Sequence, residues 1–305
     1  MTFDATDTVT ARAAASHVAP SRRLLLGLVG AGIQRSLTPA MHEAEGEAQG
    51  LRVHYQLIDL DRAEGGARLL PTLVTAARAM GFAGLNVTYP CKQAVIPLLD
   101  ELSDEAAAMG AVNTVVFRDG RAIGHNTDGS GWRWGFERAL PGADLSCIVL
   151  LGAGGAGSAI AHALLRMGAP ELVVVDADAA RATQLAETLQ SRHAAARVRA
   201  EADPARALAG ATGLVHATPT GMDKLPGLPL PAALLQPRLW VSEIVYFPLE
   251  TELLRAARAA GCATVDGGTM AVGQAVGAFR LFTGLEPDTA RMDAHFRRLV
   301  AARTC

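Results

Sequence analysis

The sequence predicts an α/β protein that is divided into two α/β domains. Short β-rich runs and helical runs alternate along most of the 305 residues, which is typical of βαβ units with parallel strands. A glycine-rich turn joins a strand pattern to a helix pattern near the middle of the chain. Half of the residues are hydrophobic, which is enough apolar material for two medium-sized cores.

The first series of elements covers the N-terminal part of the chain. Its strand patterns are "LLLGLV", "VHYQLIDL" and "GLNVTY", and its helix patterns are "PAMHEAEGEAQG" and "LLPTLVTAARAMG". Pro39 near the start and Gly50 at the end favour the first helix. A β-hairpin with Asp119-Gly120 as its turn is predicted to follow. The helix "GSGWRWGFERALPG" contains or adjoins the boundary to the second series.

The second series starts near Ser146 and alternates in the same way. Its strand patterns are "CIVLLG", "ELVVVD", "ARVRA", "GLVHATP", "WVSEIVY" and "ATVD". Helical patterns separate these strands, of which "TELLRAARAAG" is the clearest. A second, parallel sheet is therefore expected.

The turn after the first of these strands carries Gly152, Gly154 and Gly157 in a G-x-G-x-x-G spacing, and the next strand ends in Asp176. In this strand–turn–helix context the spacing predicts a dinucleotide site, with phosphate at the helix N-terminus and the acid on the ribose. The alternatives are a glycine-rich turn without a ligand and an Asp176 that only caps the next helix. Arg181 either attracts a 2′-phosphate or packs along the adenine.

A nicotinamide dinucleotide moves hydride, so a general acid/base has to move the accompanying proton. Lys92 is a candidate, because "LNVTYPCKQAVIPLLD" places it in the first turn of a predicted helix, at the positive end of the helix dipole. Burial and such a position both lower the pKa of a lysine, which is about 10.4 in water. Asp128 in "GHNTDGSGW" is the second candidate, as a partner that shares a proton with Lys92. The alternative for Asp128 is a helix cap.

Composition and charge exclude several classes of protein. The net charge is -2 without a basic run, which argues against nucleic acid and anionic membranes as partners. The four cysteines form no C-x-x-C pair, so neither a zinc site nor a disulfide framework is predicted, and a reducing cytoplasm is favoured. The first twenty residues are predicted to be a mobile tail and not a signal peptide. The uncharged stretch 145–165 is interpreted as strand, turn and helix, because a membrane span would be destabilised by its central glycines.

The order of several short motifs resembles that of the shikimate dehydrogenase family, and within it the bacterial quinate/shikimate dehydrogenases. The resemblance covers residues 24–300. Its motifs are "SLTPAMHEA", "GLNVTYPCK", "GAVNT", "GHNTD", "GAGGAG", "HATPTGM", "YFPLETELL" and "DGGTMAVGQA". It implies reversible oxidation of the C3 hydroxyl of shikimate to 3-dehydroshikimate, or of quinate to 3-dehydroquinate, with NAD or alternatively NADP as cofactor.

The resemblance also implies roles for individual residues and no metal. Lys92 and Asp128 match the catalytic acid/base pair of the family. The implied substrate-binding residues are Ser36, Thr38, Thr88, Asn113, Tyr246 and Gln274. The implied cofactor-binding residues are Gly152, Gly154, Gly155, Ala156, Gly157, Asp176, Arg181, Thr218, Gly267 and Met270. Neutral hydroxyl and amide side chains suit a substrate that is a polyhydroxy acid.

The implied architecture has an N-terminal substrate-binding domain at residues 21–125 and a Rossmann-type NAD(P)-binding domain at 140–267. C-terminal helices at 268–305 return to the first domain. Three alternatives remain open: an NADP-linked shikimate dehydrogenase of aromatic amino acid biosynthesis, a relative that oxidises an amino-sugar acid, and a non-catalytic sensor of cofactor or substrate. A sensor has no need of an acid/base pair. A monomer or homodimer that acts on a small molecule is expected.

Four positions depart from common family patterns. Cys91 stands where the family often has an aromatic residue. His216 stands where the family usually has an Asn that contacts the cofactor, so the resemblance does not imply this contact for His216. Thr38 stands where biosynthetic members more often have Ser, which favours quinate as a second substrate. Ala177, after Asp176, stands where NADP-using members have Arg, which favours NAD.

Overall fold

A computed structural model describes residues 22–304, so the tail expected for the first twenty residues lies outside the described part of the chain. Within it, the chain forms two six-stranded sheets with helices packed against them. The predicted α/β class is confirmed.

The first sheet combines parallel and antiparallel strands. Its strands are β1 (Arg23–Gly30), β2 (Arg52–Asp59), β3 (Phe82–Val87), β4 (Glu101–Leu102), β5 (Thr114–Arg118) and β6 (Arg121–His125), in the order β2-β1-β3-β5-β6-β4. The predicted hairpin is the antiparallel pair β5 and β6. Asp119 and Gly120 both have the positive φ, 52° and 73°, that its two-residue turn requires. No pattern predicts β4, because two residues show no periodicity.

Five helices belong to this part of the chain. They are α1 (Thr38–Ala48), α2 (Leu70–Ala79), α3 (Cys91–Ala94), α4 (Asp104–Met109) and α5 (Asp128–Ala139), the last of which leads to the second sheet. The two predicted helices correspond to α1 and α2. The helix expected after Pro90 is α3, which has only four residues. The sequence-based argument therefore overestimated the helix dipole at Lys92, because a macrodipole needs several aligned turns.

The second sheet is parallel throughout. Its strands are β7 (Ile148–Leu151), β8 (Glu171–Val175), β9 (Arg197–Ala200), β10 (Gly213–His216), β11 (Trp240–Glu243) and β12 (Ala263–Val265). The order β12-β11-β10-β7-β8-β9 is that of doubly wound dinucleotide-binding folds, where ligands bind at the carboxyl ends of the strands around the switch point between β7 and β10. Its helices are α6 (Gly155–Arg166), α7 (Ala179–Arg192), α8 (Pro204–Leu208) and α9 (Glu252–Ala259).

The last two helices, α10 (Gly267–Thr283) and α11 (Thr289–Thr304), pack on the first half of the chain. Val276 of α10 and Phe296 of α11 share a buried apolar cluster with Met41 of α1. Burial of these side chains holds the C-terminal helices on that side. The predicted domain boundaries themselves stay a prediction.

Helices α5 and α10 cross in direct backbone contact. A Cβ on Gly131 of α5 would lie 2.3 Å from the Gln274 backbone nitrogen, and a Cβ on Gly273 of α10 would lie 2.3 Å from the Gly131 oxygen. One turn further along α5, a Cβ on Gly135 would lie 2.6 Å from Thr269 Cβ. Only glycine permits this approach, which brings the first turn of α5 against the middle of α10.

Gly131→Ala is expected to lower the free energy of unfolding by roughly 1–3 kcal/mol or more, the scale of an overpacked core. The added methyl group would meet backbone atoms of α10, which cannot rotate away as a side chain can. Gly210→Ala is the matched control, since no atom lies within 4 Å of its Cβ position, and its effect should stay within about 0.5 kcal/mol. Urea unfolding of both variants measures the difference. Equal midpoints would contradict the proposed close contact.

Candidate active site

Lys92 and Asp128 form an ion pair. Lys92 Nζ lies 2.5 Å from Asp128 Oδ2, and the two side chains are 22% and 7% exposed. Lys92 follows β3 on α3, and Asp128 is the first residue of α5. The pair adjoins the glycine-rich turn of the second sheet, because a Cβ on Gly155 would lie 3.9 Å from Lys92 Cδ. The two residues predicted from the motifs are thus brought together beside the predicted dinucleotide site.

Neighbouring side chains hold both the carboxylate and the backbone of Asp128 in place. Asn113 Nδ2 donates to Asp128 Oδ1 at 2.8 Å, and the Asp128 amide donates to Asn126 Oδ1 at 2.9 Å. The N-cap of α5 is Thr127, without a side-chain cap. The alternative that Asp128 is only a helix cap is therefore wrong.

Asn113 is buried, and both groups of its amide are engaged. Its Nδ2 also donates to Thr127 Oγ1 at 3.0 Å, and its Oδ1 accepts from the Thr127 amide at 2.8 Å and from Thr114 Oγ1 at 2.9 Å. A substrate hydroxyl at Asn113 has to share these partners. Its predicted contact with substrate stays a prediction, whereas its contact with Asp128 is observed.

The predicted hydroxyl side chains lie at the ends of β1 and β3. Ser36 Oγ donates to Thr38 Oγ1 at 3.1 Å and accepts from the Thr38 amide at 3.3 Å, at the start of α1. A Cβ on Gly30 of β1 would lie 2.3 Å from Thr88 Cγ2, so the Thr88 methyl group packs on that glycine. Packing of the methyl group fixes χ1 and therefore the position of the Thr88 hydroxyl oxygen.

Two further predicted substrate residues come from the C-terminal part of the chain. Gln274 is half-buried on α10, where its Nε2 donates to the Ala271 oxygen at 3.0 Å. Its backbone oxygen accepts from Thr127 Oγ1 at 3.1 Å, one residue before Asp128. Tyr246 follows β11, is 37% exposed, and lies with its ring centroid 6.2 Å from that of Phe296.

The glycine-rich turn has the geometry of a phosphate site. Gly152 has a φ of +105°, and a Cβ on Gly157 would lie 2.0 Å from the Gly152 oxygen, so both positions require glycine. A Cβ on Gly154 would meet no atom within 4 Å, which leaves open space at the N-cap of α6. Gly155 and Ala156 form the first turn of this twelve-residue helix. Their backbone amides are therefore available to an anionic ligand.

Asp176 follows β8 and holds the glycine-rich turn. Its Oδ2 accepts from the Ala153 amide at 2.7 Å, and its Oδ1 accepts from the Asp178 amide at 2.9 Å. Asp178 caps α7 by accepting from the amides of Ala180 and Arg181, so the alternative that Asp176 is the cap is wrong. The exposed Arg181 side chain lies 4.0 Å from Asp178 Oδ2.

The remaining predicted cofactor residues follow β10 and β12. Thr218 Oγ1 lies 2.6 Å from His216 Nε2. A Cβ on Gly267 would lie 2.4 Å from the Val245 oxygen, so α10 starts in close contact with the segment after β11. Met270 is 8% exposed and belongs to the apolar core of the second sheet.

Comparisons with known proteins agree with this geometry. Residues 28–115 match the family model of the shikimate dehydrogenase substrate binding domain. The chain is 59% identical over 278 residues to the NADP-linked shikimate dehydrogenase of Streptomyces avermitilis, covering 90% of this chain and 95% of that protein. The chain belongs to the shikimate dehydrogenase family. Its predicted membership is confirmed.

Other members of the shikimate dehydrogenase family are named for NAD instead of NADP. The chain is 52% identical over 283 residues to the NAD-linked quinate/shikimate dehydrogenase of Corynebacterium efficiens, covering 90% of this chain and 98% of that protein. The solved quinate dehydrogenase of Corynebacterium glutamicum, in complex with NAD, superposes with a TM-score of 0.85 and is 48% identical, covering 91% of this chain and all of that one. Family membership therefore leaves the choice of cofactor to the residues of this chain.

Arg35, which precedes Ser36, contacts two later segments of the chain, although its side chain is 63% exposed. Its Nη1 lies 3.2 Å from Asp223 Oδ2, and its guanidinium lies 4.0 Å from the centroid of the Phe247 ring. These contacts tie the segment before α1 to the segments after β10 and β11.

Neither a metal cluster nor a membrane span is found in the described part of the chain. Among residues 22–304 there is no group of three or more His, Cys, Asp or Glu side chains that could hold a metal ion. Within the same range no helix is both long and apolar enough to cross a bilayer.

Proposed function

We propose that this protein is an NAD-dependent quinate/shikimate dehydrogenase, which reversibly oxidises the C3 hydroxyl of shikimate to 3-dehydroshikimate and that of quinate to 3-dehydroquinate. The observation that carries the proposal is the Lys92–Asp128 pair, 2.5 Å apart and next to the glycine-rich turn of a dinucleotide-binding sheet. Oxidation of an alcohol by hydride transfer requires an acid/base at this place. Relatives named for both substrates support the substrate class.

In the proposed mechanism Lys92 moves the proton and Asp128 positions Lys92. During oxidation the C3 hydroxyl proton passes to Lys92 Nζ, and during reduction Lys92 returns it to the carbonyl oxygen. When bound, the nicotinamide cofactor accepts or supplies the hydride. Asp128, held by Asn113, keeps Nζ in one direction and balances its positive charge.

The substrate is proposed to lie among neutral polar side chains. The Ser36 and Thr38 hydroxyls hold its carboxylate, while Thr88, Asn113 and Gln274 hold the ring hydroxyls and Tyr246 borders the site. Such a site discriminates strongly, because a missing hydroxyl leaves buried polar groups unpaired.

The described residues fit a bound dinucleotide. Open space at Gly154 and the free amides of the first turn of α6 suit the pyrophosphate. The half-buried Asp176 carboxylate suits the two ribose hydroxyls. The proposed contacts are made by Gly152, Gly154, Gly155, Ala156, Gly157, Asp176, Arg181, Thr218, Gly267 and Met270.

The second candidate is an NADP-linked shikimate dehydrogenase, which the name of the Streptomyces avermitilis relative favours. A non-catalytic sensor is disfavoured, because it does not need the Lys92–Asp128 pair. We further propose a monomer or homodimer that acts on small molecules in the cytoplasm, without nucleic acid or membrane partners. The free thiols of Cys91, Cys147 and Cys262 fit a reducing compartment.

One set of rate measurements tests the function. Purified protein is mixed with shikimate or quinate, each with NAD or NADP, and formation of the reduced cofactor is followed by its absorbance. We expect turnover with shikimate and NAD. Absence of turnover in all four mixtures contradicts the proposed function, and turnover with NADP alone favours the second candidate.

Quinate is expected to be oxidised alongside shikimate, and Thr38 is the motivating residue. Quinate has an additional hydroxyl on the carbon that bears the carboxylate. The methyl group of Thr38 restricts χ1 and changes how its hydroxyl meets that carboxylate. The ratio of kcat/KM for quinate to that for shikimate is compared in the natural protein and in Thr38→Ser. Shikimate turnover without any quinate turnover would show that the prediction is wrong.

A further inference from the structure

A buried chain of hydrogen bonds joins Thr218 to Glu243. His216 ends β10 and Glu243 ends β11, and the two residues are partners in the register of these parallel strands. Both side chains are 0% exposed. His216 Nδ1 lies 2.8 Å from Glu243 Oε1, and His216 Nε2 lies 2.6 Å from Thr218 Oγ1.

The direction of each hydrogen bond follows from Glu243. Its Oε1 already accepts from the amides of Ile244 at 2.8 Å and Val245 at 3.0 Å, and its Oε2 accepts from Thr251 Oγ1 at 3.0 Å. Because Oε1 is an acceptor, His216 Nδ1 has to be the donor. When His216 is a neutral imidazole, its Nε2 atom is an acceptor, and the Thr218 hydroxyl donates its hydrogen to it.

Thr218 lies against the glycine-rich turn. A Cβ on Gly152 would lie 3.0 Å from Thr218 Cγ2 and 2.6 Å from the Ala217 oxygen. The Thr218 oxygen accepts from the Thr220 amide at 3.3 Å and has a second lone pair. A hydroxyl that has donated its one hydrogen can offer a neighbouring ligand only this lone pair.

We propose that His216, fixed by Glu243, is a positioning residue that makes Thr218 a hydrogen-bond acceptor for the cofactor. The cofactor group that Thr218 meets is therefore a donor, either a ribose hydroxyl or the carboxamide N–H of the nicotinamide. A phosphate oxygen is an acceptor and does not suit this position. The inference rests on the proposed function, because it takes Thr218 to border the cofactor.

Two single variants and their combination test this chain of hydrogen bonds. Thr218→Val removes the hydroxyl and keeps the shape, whereas His216→Phe keeps a ring and removes both ring nitrogens, while Glu243 keeps its hydrogen bonds from Ile244, Val245 and Thr251. Each is expected to raise KM for NAD about 10-fold, the effect of about one lost hydrogen bond. The double variant should also show about a 10-fold rise, since both changes remove the same contact. KM for shikimate should change less than about 2-fold.

A multiplicative rise of roughly 100-fold in the double variant would overturn the coupling between His216 and Thr218. An unchanged KM for NAD in His216→Phe, or an equal rise in KM for shikimate, would overturn the positioning role. Thr218→Ser retains the hydroxyl and is expected to restore most of the affinity that Thr218→Val loses.

Direct binding separates this inference from the proposed function and identifies the donor. Dissociation constants of NAD and of its 3-acetylpyridine analogue, which lacks the carboxamide N–H, are measured by calorimetry without substrate. If Thr218→Val loses affinity for NAD but not for the analogue, the donor is the carboxamide N–H. If it loses affinity for NAD and for the analogue, the donor is a ribose hydroxyl. A loss for neither overturns the inference. Failure of the proposed function would appear differently, as normal NAD binding without oxidation of either acid.

Discussion

Replacing Lys92 with alanine is expected to lower turnover by at least ~10²-fold, the scale of a lost general acid/base. Lys92 Nζ is 2.5 Å from Asp128 Oδ2, and alanine leaves no group there that can exchange a proton with the C3 oxygen. KM for shikimate should change much less, since Ser36, Thr38 and the other polar side chains remain. Steady-state kinetics on a variant with unchanged circular dichroism provides the measurement.

Two further variants separate charge from proton transfer. Lys92→Arg keeps a positive charge beside Asp128 but does not release a proton near neutral pH, so its turnover should be as low as that of the alanine variant. The chain has one other lysine, Lys224, which is exposed on the segment after β10. Lys224→Ala is expected to retain turnover within about 3-fold, as for a surface charge. Turnover near that of the natural protein in Lys92→Ala or Lys92→Arg would refute the catalytic role.

NAD is expected to be preferred over NADP by ~10²-fold in kcat/KM. Asp176 directly follows β8, where its half-buried carboxylate can accept from both ribose hydroxyls. The 2′-phosphate of NADP would remove one donor and add negative charge at the carboxylate, at a cost on the order of a few kcal/mol. Arg181 opposes this preference only in part, because its side chain is exposed and near Asp178.

Variants of Asp176 test this preference. Asp176→Asn removes the charge and keeps an oxygen for the Ala153 amide, whereas Asp176→Ala removes both. Both are expected to raise kcat/KM for NADP relative to that for NAD. Asp178→Asn, two residues away, is the control, since it removes a neighbouring charge but keeps an N-cap side chain. A higher kcat/KM for NADP in the natural protein, or no relative gain for NADP in Asp176→Asn, would contradict the argument.

Local patterns predicted most of the fold. The six strands of the second sheet and the hairpin were recognisable because apolar runs and the Asp119-Gly120 turn depend on neighbours in sequence. The length of α3 and the existence of β4 depend instead on packing against distant strands. The helix pattern after Pro90 therefore predicted a longer helix than the four-residue α3 that forms there.

The Lys92–Asp128 pair also depends on long-range contacts that local patterns do not predict. Spacing alone does not predict that Lys92 and Asp128 meet, because 36 residues separate them, and only the order of family motifs indicated it. His216 and Glu243 were not predicted as partners, since their contact depends on the register of β10 against β11. Asn113 is likewise buried where its own segment meets those of Asn86 and Thr127, and these three segments meet only in the folded protein.

The residues proposed for proton transfer and for cofactor binding follow strands of different sheets. Lys92 and Asp128 follow strands of the first sheet, whereas Asp176 and Arg181 follow β8 of the second, and the α5–α10 crossing joins the two halves. We therefore expect a change of one or two side chains in the turn after β8 to alter cofactor preference without moving the proposed acid/base pair. In evolutionary terms, we expect a lineage to be able to change between NADP and NAD through intermediates that stay active. Two relatives that are 59% and 52% identical to this chain are named for different cofactors.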